Sequence, residues 1–435
     1  MIVERWTSVE VKALRTAALR DTQEQFAERL GWGVPTIRKW ERVVDGRCVR
    51  ANRAEDLDTV LSDLTGEQLQ RFAAALTQHR PARSMHPGSA ATQSVAVIEE
   101  DADVRRRDFG KLAALTAAGL PTWDGTSTPR LGAAEIARLT AMTEDLRAAE
   151  QRIGGAPLVE HAATALDTAL ALLRHGTYSE ADGSRLMAAI GDLALRAGFL
   201  AYDSDRHTLA RRCYTDAVSL ASTADDSELL AHACLNEALQ AIALARKGHG
   251  SPSYGLALIR RAADLVRRKP PGRIHALIAA REAGAHGVAG DRASTHRAAA
   301  MAWREMDYAV EHEPLDECPP WLAFVTHSEI RSHEAGAHHD LGDLPQAISL
   351  YEVACAEPAG PRNRANSLAW LSVARAQLGD HTGAADAGLH VLAALEREVS
   401  SIRTLTALRP VRAAVGGEFG ERFDMLMTTK VDVYE

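Results

Sequence analysis

Cysteine, aromatic residues and long apolar runs are all scarce in this chain. Its 435 residues include five cysteines and seven each of Trp, Tyr and Phe. Cys48, Cys213, Cys234, Cys318 and Cys355 lie far apart, with no CxxC pair and no histidine at zinc-finger spacing. A disulfide framework and a structural zinc site are therefore not expected. No window reaches the ~18 apolar residues that span a bilayer, and Met1-Ile2-Val3-Glu4-Arg5-Trp6 lacks the basic head and apolar run of a secretory signal, so a cytoplasmic location is expected. Also missing are a glycine-rich phosphate loop, a GxSxG elbow and a nucleophile placed with a base in a known motif; no enzyme activity and no cofactor are expected. Aromatics at 5% beside abundant alanine argue against a β-sandwich and for closely packed helices.

A chain this long exceeds one ordinary core, which implies several domains or a repeat array, and 46% hydrophobic residues suffice for either. The net charge of −8 is unevenly spread: residues 1–80 carry 13 Lys+Arg against 12 Asp+Glu, and the remainder 37 against 46. A near-neutral N-terminal region can bind DNA if its basic residues share a face, whereas a nonspecific polybasic tether is excluded. Residues 1–80 are read as one domain, 81–130 as a linker containing a short apolar helix at Val104–Leu120, and 131–435 as a helical region.

The N-terminal region is dense in helix signals. Thr7 with Glu10, and Thr22 with Gln25, have capping-box spacing, with Trp6 placed to staple Val11. A short helix through Phe26, Ala27 and Leu30 stops at Gly31; after three residues a second runs from Val34 to Glu41, with Pro35 tolerated in its first turn. Ile37 and Trp40 are expected inward and Thr36, Arg38 and Lys39 outward, the pattern of a helix-turn-helix.

Farther on, turn residues recur at Ser204, Gly248, Gly290, Gly342 and Gly379, three of them as Gly-Asp pairs. Small residues precede the turns, and small-aromatic-small triplets follow two of them: Ala210, Tyr214, Ala217 and Ala347, Tyr351, Ala354. Units of two antiparallel helices at this period predict an α-solenoid of tetratricopeptide-like pairs, and hence an all-α fold.

Residues 22–41, TQEQFAERLGWGVPTIRKWE, resemble the repressor-type helix-turn-helix family called XRE. Segments 198–221 and 319–354 resemble the repeat domain of actinobacterial regulators of that type. The resemblance implies that Gly33, Val34, Pro35 and Lys39 face base edges and that Gln23 and Thr36 contact phosphates. Arg38 and Arg42 are outward candidates for backbone neutralisation, although a solvated helix face gives the same charges. Val34 and Pro35 depart from the polar readers common in the family, so Lys39 on a guanine edge and Val34 on a thymine methyl are the expected contacts.

In the repeats, the first helices are expected to line a concave surface. Asn236, Gln240, Arg281 and Asn366, with Glu282 and Trp370, are candidates to hold an effector, because amide side chains offer both donor and acceptor to a peptide unit. His327, His333, His338 and His339 cluster with Glu329 and Glu334, but the HExxH pairing is absent, so no metal is expected. Arg106-Arg107-Asp108-Phe109-Gly110-Lys111-Leu112 resembles a twin-arginine export signal but stands deep in the chain, where a linker helix is the plainer reading. The expected function is a homodimeric regulator of double-stranded DNA whose repeats bind a peptide or small-molecule effector. The alternative is an interaction scaffold that binds or sequesters a partner protein.

Overall fold

The computed structural model describes residues 6, 8–30 and 32–42, eight positions between 57 and 72, and residues 128–431 apart from 358. Thr7, Gly31 and Cys48 lie outside the described residues, as do the side chains of Lys39 and Arg42. So do nearly all of the expected linker and the whole Val104–Leu120 segment with its arginines. The chain divides into two compact units, residues 1–92 and 93–435. The described residues are all-helical, with no strand; the one extended pairing is an isolated bridge between Arg130 and Thr177.

In the first unit, α1 (Ser8–Ala13) widens into a π-helical turn at Leu14–Leu19 and ends on Arg20 in the left-handed region. Helix α2 (Gln23–Leu30) begins at a formed capping box: Gln25 N–H donates to Thr22 Oγ1 at 3.2 Å, and Thr22 N–H to Gln25 Oε1 at 2.8 Å. Helix α3 (Val34–Arg42) packs on α2 and α1 through fully buried Phe26, Ile37 and Leu14. Leu57, Leu61, Leu64 and Phe72 join the same core, and Trp6 lies 6.2 Å from Phe72, ring to ring. Arg71 donates to the carbonyls of Ala17 and Ala18, acceptors left without partners by the end of the first helix.

The described part of the second unit begins with α4 (Ala133–Ile153) and α5 (Val159–His175). Five helix pairs follow: α6 (Glu180–Asp203) with α7 (His207–Thr223), α8 (Ser227–Arg246) with α9 (Pro252–Val266), α10 (Arg273–Val288) with α11 (Arg292–His312), α12 (His327–Asp340) with α13 (Leu344–Ala356), and α14 (Pro361–Leu378) with α15 (His381–Arg397). Connections of two to five residues between helices that pack along their length make each pair antiparallel. The five turns fall where the sequence places them. Gly290, Gly342 and Gly379 adopt φ of +77°, +76° and +89°, which ends the first helix of the pair, while the side chains of Asp291 and Asp380 cap the second.

Small residues permit the close approach. A Cβ on Gly198 would lie 2.5 Å from the Tyr214 ring. In the last pair Gly388 stands where the first and fourth pairs have Tyr214 and Tyr351, and Phe419 of α18 (Gly417–Val431) fills the space instead.

First helices also touch one another along the series, α6 to α8, α8 to α10, α10 to α12 and α12 to α14. The series then meets its own beginning. Helix α14 contacts α4, and α16 (Ile402–Ala407), which precedes α17 (Arg409–Ala414), contacts α6. Ser400 N–H donates to Ile153 O at 2.7 Å, and Ala156 N–H to Ser400 O at 3.1 Å. Fully buried Asp203 accepts from Ser401 Oγ and Arg403 Nη2, each at 3.0 Å, and from Gly155 N–H at 3.2 Å.

Candidate functional site

The first helices enclose a cavity of about 970 Å³, near the upper end of the range for small-molecule sites. Its wall also takes in α4, the α16–α17 segment and the connection from Pro320 to Thr326. That connection carries a 3-10 turn, Pro320–Leu322, whose Trp321 stacks on His232 of α8 at 3.9 Å and 13° and donates to Glu228 Oε1 at 3.2 Å. Burial holds His232 well below the usual imidazole pKa, with Arg196 and Arg147 acting in the same direction.

The wall is strongly charged. Eight cationic side chains line it against five carboxylates, so its sign is opposite to that of the whole chain. Most cations are matched. Arg246 makes two 2.6 Å hydrogen bonds to Asp340 and faces Trp370, and Lys247 lies 3.0 Å from Asp205. Arg362 is 2.7 Å from Glu150 and Arg403 3.0 Å from Asp203, with their guanidinium groups over Phe199 and Tyr202. Arg196 approaches Glu150 at 3.6 Å, and Arg147 approaches Asp192 at 3.5 Å. Carboxylates and aromatic faces thus offset the desolvation of these guanidinium groups.

Arg281, on α10 and only 5% exposed, is different. Among the described residues it has no carboxylate within ion-pair distance and no aromatic face, and Nε is buried without a hydrogen-bond partner. Its one hydrogen-bonding neighbour is His333, with Nη1 2.8 Å from Nε2. The same Nε2 lies 3.2 Å from Glu329 Oε1. Burial pulls the pKa of His333 below its ordinary value and Arg281 adds to this, against an upward pull from Glu329, a balance that favours the neutral ring. A neutral ring nitrogen either accepts from Arg281 or donates to Glu329. It cannot do both.

Asn236, Arg281 and Asn366 line this cavity, as does Trp370. Gln240 does not. It is buried on α8, and its Nε2 donates to His207 O at 2.9 Å, so it ties α8 to α7 and is withdrawn as an effector contact. Asn366 Oδ1 accepts from Arg403 Nη1 at 2.9 Å, and Glu282 is outside the wall, 3.7 Å from His286. The histidine cluster is dispersed: His333 and His339 line the cavity, while His327 pairs with Asp307 and His338 with Asp343. No group of three metal-ligating side chains occurs among the described residues.

The wall arginines Arg147, Arg196, Arg246, Arg362 and Arg403 went unmarked in the sequence reading. The available signal was a charge inside a helix otherwise buried on every side, as at Arg281 between Ala280 and Ala283.

In the first unit, Gly33, Pro35 and Arg38 are exposed, while Val34 and Thr36 are partly covered. Val34 packs against the core and thus offers less apolar surface than the sequence reading gives it. Gln23 is already engaged: its Nε2 donates to Glu41 Oε2 at 2.7 Å and its Oε1 accepts from Arg38 Nε at 3.2 Å. Glu41 also accepts from Arg15 at 2.5 and 3.0 Å. Lys39 and Arg42 belong to α3.

No family model matches the sequence, and no curated protein matches it. No helix among the described residues is long and apolar enough to cross a membrane.

Proposed function

We propose that this chain is a sequence-specific, DNA-binding transcriptional regulator that answers to an effector held in the cavity of its second unit. The observation that carries the reading is the α2–α3 pair: a capped eight-residue helix and a nine-residue helix joined across residues 31–33, with Gly33 exposed just before the second and Pro35 and Arg38 exposed along it. A short helix presented in this way fits the major groove, and its neighbour braces it against the backbone. The resemblance of residues 22–41 to the XRE family supports the same assignment, a helix-turn-helix in which Gly33, Val34, Pro35 and Lys39 face bases. Gln23 and Thr36 then contact phosphates, and Arg38 and Arg42 neutralise the backbone. Contact by Gln23 requires it to exchange Glu41 or Arg38 for a phosphate.

The five helix pairs, with their recurring turns, support a tetratricopeptide-like α-solenoid as sensor. One reader contacts few base pairs, so two copies acting on two half-sites, a homodimer in the cytoplasm, complete the proposal. An effector that binds two arrangements of the second unit unequally shifts their populations and with them the affinity for DNA. The test is selection from a random double-stranded DNA library at physiological salt by the full chain. A discrete recovered motif supports the proposal, and recovery without sequence preference refutes it.

A further inference from the structure

From the wall of the cavity we infer that its ligand is an apolar monoanion, whose acid group pairs with Arg281 while its body lies toward Trp321 and Phe324. This rests on the reading of the cavity as an effector site and adds the ligand's chemistry.

Three observations converge. Arg281 is a permanently charged guanidinium, nearly buried, with one neutral neighbour and an unpartnered Nε. Glu329 acts on this charge only across His333, and a buried charge with no direct ion-pair partner is costly; an anion in the cavity supplies that partner. Second, the conflict at His333 resolves on binding. With the anion on Arg281, Nε2 is free to donate to Glu329, and both buried charges gain a partner. Third, the ligand's charge is set by subtraction. The five other covered arginines of the wall share four carboxylates, with Glu150 serving both Arg196 and Arg362; counting Arg281 and Glu329 gives six cations to five anions, so one negative charge balances them. A phosphate dianion would leave a surplus negative charge near Glu329. Trp321 and Phe324 pack against the apolar cluster that includes α10, the helix bearing Arg281, and supply a surface for a non-polar body.

The acid group can come from the C-terminus of a short peptide or from a small aryl or alkyl carboxylic acid. Both place a carboxylate on an apolar body.

The probe is 8-anilinonaphthalene-1-sulfonate, a fluorescent aryl monoanion, titrated into the full chain without DNA. Binding is expected to weaken about tenfold in Arg281→Met, as a charged hydrogen bond is lost, and less in Arg281→Lys. In Glu329→Gln binding is expected to tighten, since a neighbouring negative charge is gone. Misfolding does not produce opposite signs at two adjoining sites. Displacement by 1-naphthylacetate is expected at about tenfold lower concentration than by 1-naphthylacetamide or 1-naphthyl phosphate, and Arg281→Met should abolish that preference. Apolar pentapeptides with free or amidated C-termini form the second arm: displacement by the free-acid peptides alone identifies a peptide source, and by naphthylacetate alone a small acid. The inference is overturned if the probe does not bind, if amide or phosphate displaces as well as the acid, if neither carboxylate source displaces, or if Arg281→Met keeps the preference. Acid-selective binding that leaves DNA affinity unchanged supports this inference and overturns the regulator reading alone.

Discussion

Ser401 gives its hydroxyl hydrogen to Asp203 across 3.0 Å, joining two fully buried residues that stand 198 positions apart in the chain. The same carboxylate oxygen accepts from Arg403, and Arg362 lies 3.8 Å away. Asp203→Ala takes the carboxylate from Arg403 and the acceptor from Gly155 N–H, while Arg362 keeps Glu150; it is expected to cost about 3–5 kcal/mol, whereas Ser401→Ala costs about 1–2 kcal/mol. In denaturant titrations of the full chain, the double variant should lose less than the two single losses together. Strict additivity would show that the two residues do not share a network.

Gly198 and Gly284 are both helical, yet alanine should act in opposite directions at the two sites. Helix propensity favours alanine by about 1 kcal/mol. At Gly284 a Cβ meets nothing within 4 Å, so Gly284→Ala should raise the melting temperature. At Gly198 it meets the Tyr214 ring at 2.5 Å, and overpacking of about 1–3 kcal/mol outweighs the propensity gain. Thermal denaturation of the two variants decides the matter, and the same sign at both positions contradicts this packing.

The Tyr214 hydroxyl is buried with no hydrogen-bond partner among the described residues, and burial raises its pKa well above the usual value. Tyr214→Phe removes a desolvated polar group and keeps the ring. It should leave stability unchanged or raise it by about 1 kcal/mol. A loss in chemical denaturation would reveal a bond that the hydroxyl makes.

His232 and His333 bind protons less readily folded than unfolded, because burial disfavours their charged forms. The unfolded chain therefore takes up protons that the folded chain refuses as pH falls below about 6.5. Their contribution is complete above that pH and drains below it, by about 1.4 kcal/mol per pH unit for each ring. His232→Phe, which retains a ring to stack on Trp321, should flatten the fall in unfolding free energy between about pH 6.5 and 5. An unchanged slope would show that His232 is already neutral when unfolded or charged when folded.

On the proposed operator, Lys39→Ala is expected to lose about 1–3 kcal/mol and to relax preference at one base pair, while Arg42→Ala weakens all sequences alike and lowers the salt slope by about one. Binding isotherms on selected and random DNA at two salt concentrations separate these roles. Equal losses on both DNAs for both variants remove the assignments.

What the sequence made legible is what local chemistry controls. Helical class followed from alanine and the scarcity of aromatics, and the turns followed from Gly-Asp pairs, because a left-handed glycine and a capping aspartate act within a few residues. The triplets Ala210, Tyr214, Ala217 and Ala347, Tyr351, Ala354 are all buried for the same reason. The wall of the cavity was less legible. Asn236 and Gln240 share a helix and a chemistry, yet only the first lines the cavity; what separates them is the position of His207, on a different helix. Arg403 and Asp203 meet only because the series returns to its start, and no local pattern encodes a contact of that span.

That return has an evolutionary consequence. In an open array each unit touches only its neighbours, so units can be duplicated or lost with modest effect on the rest. Here an added or deleted pair would pull Ser400 away from Ile153 and Ser401 from Asp203, exposing several buried polar groups at once. The closure therefore fixes the number of pairs in a way that an open array does not.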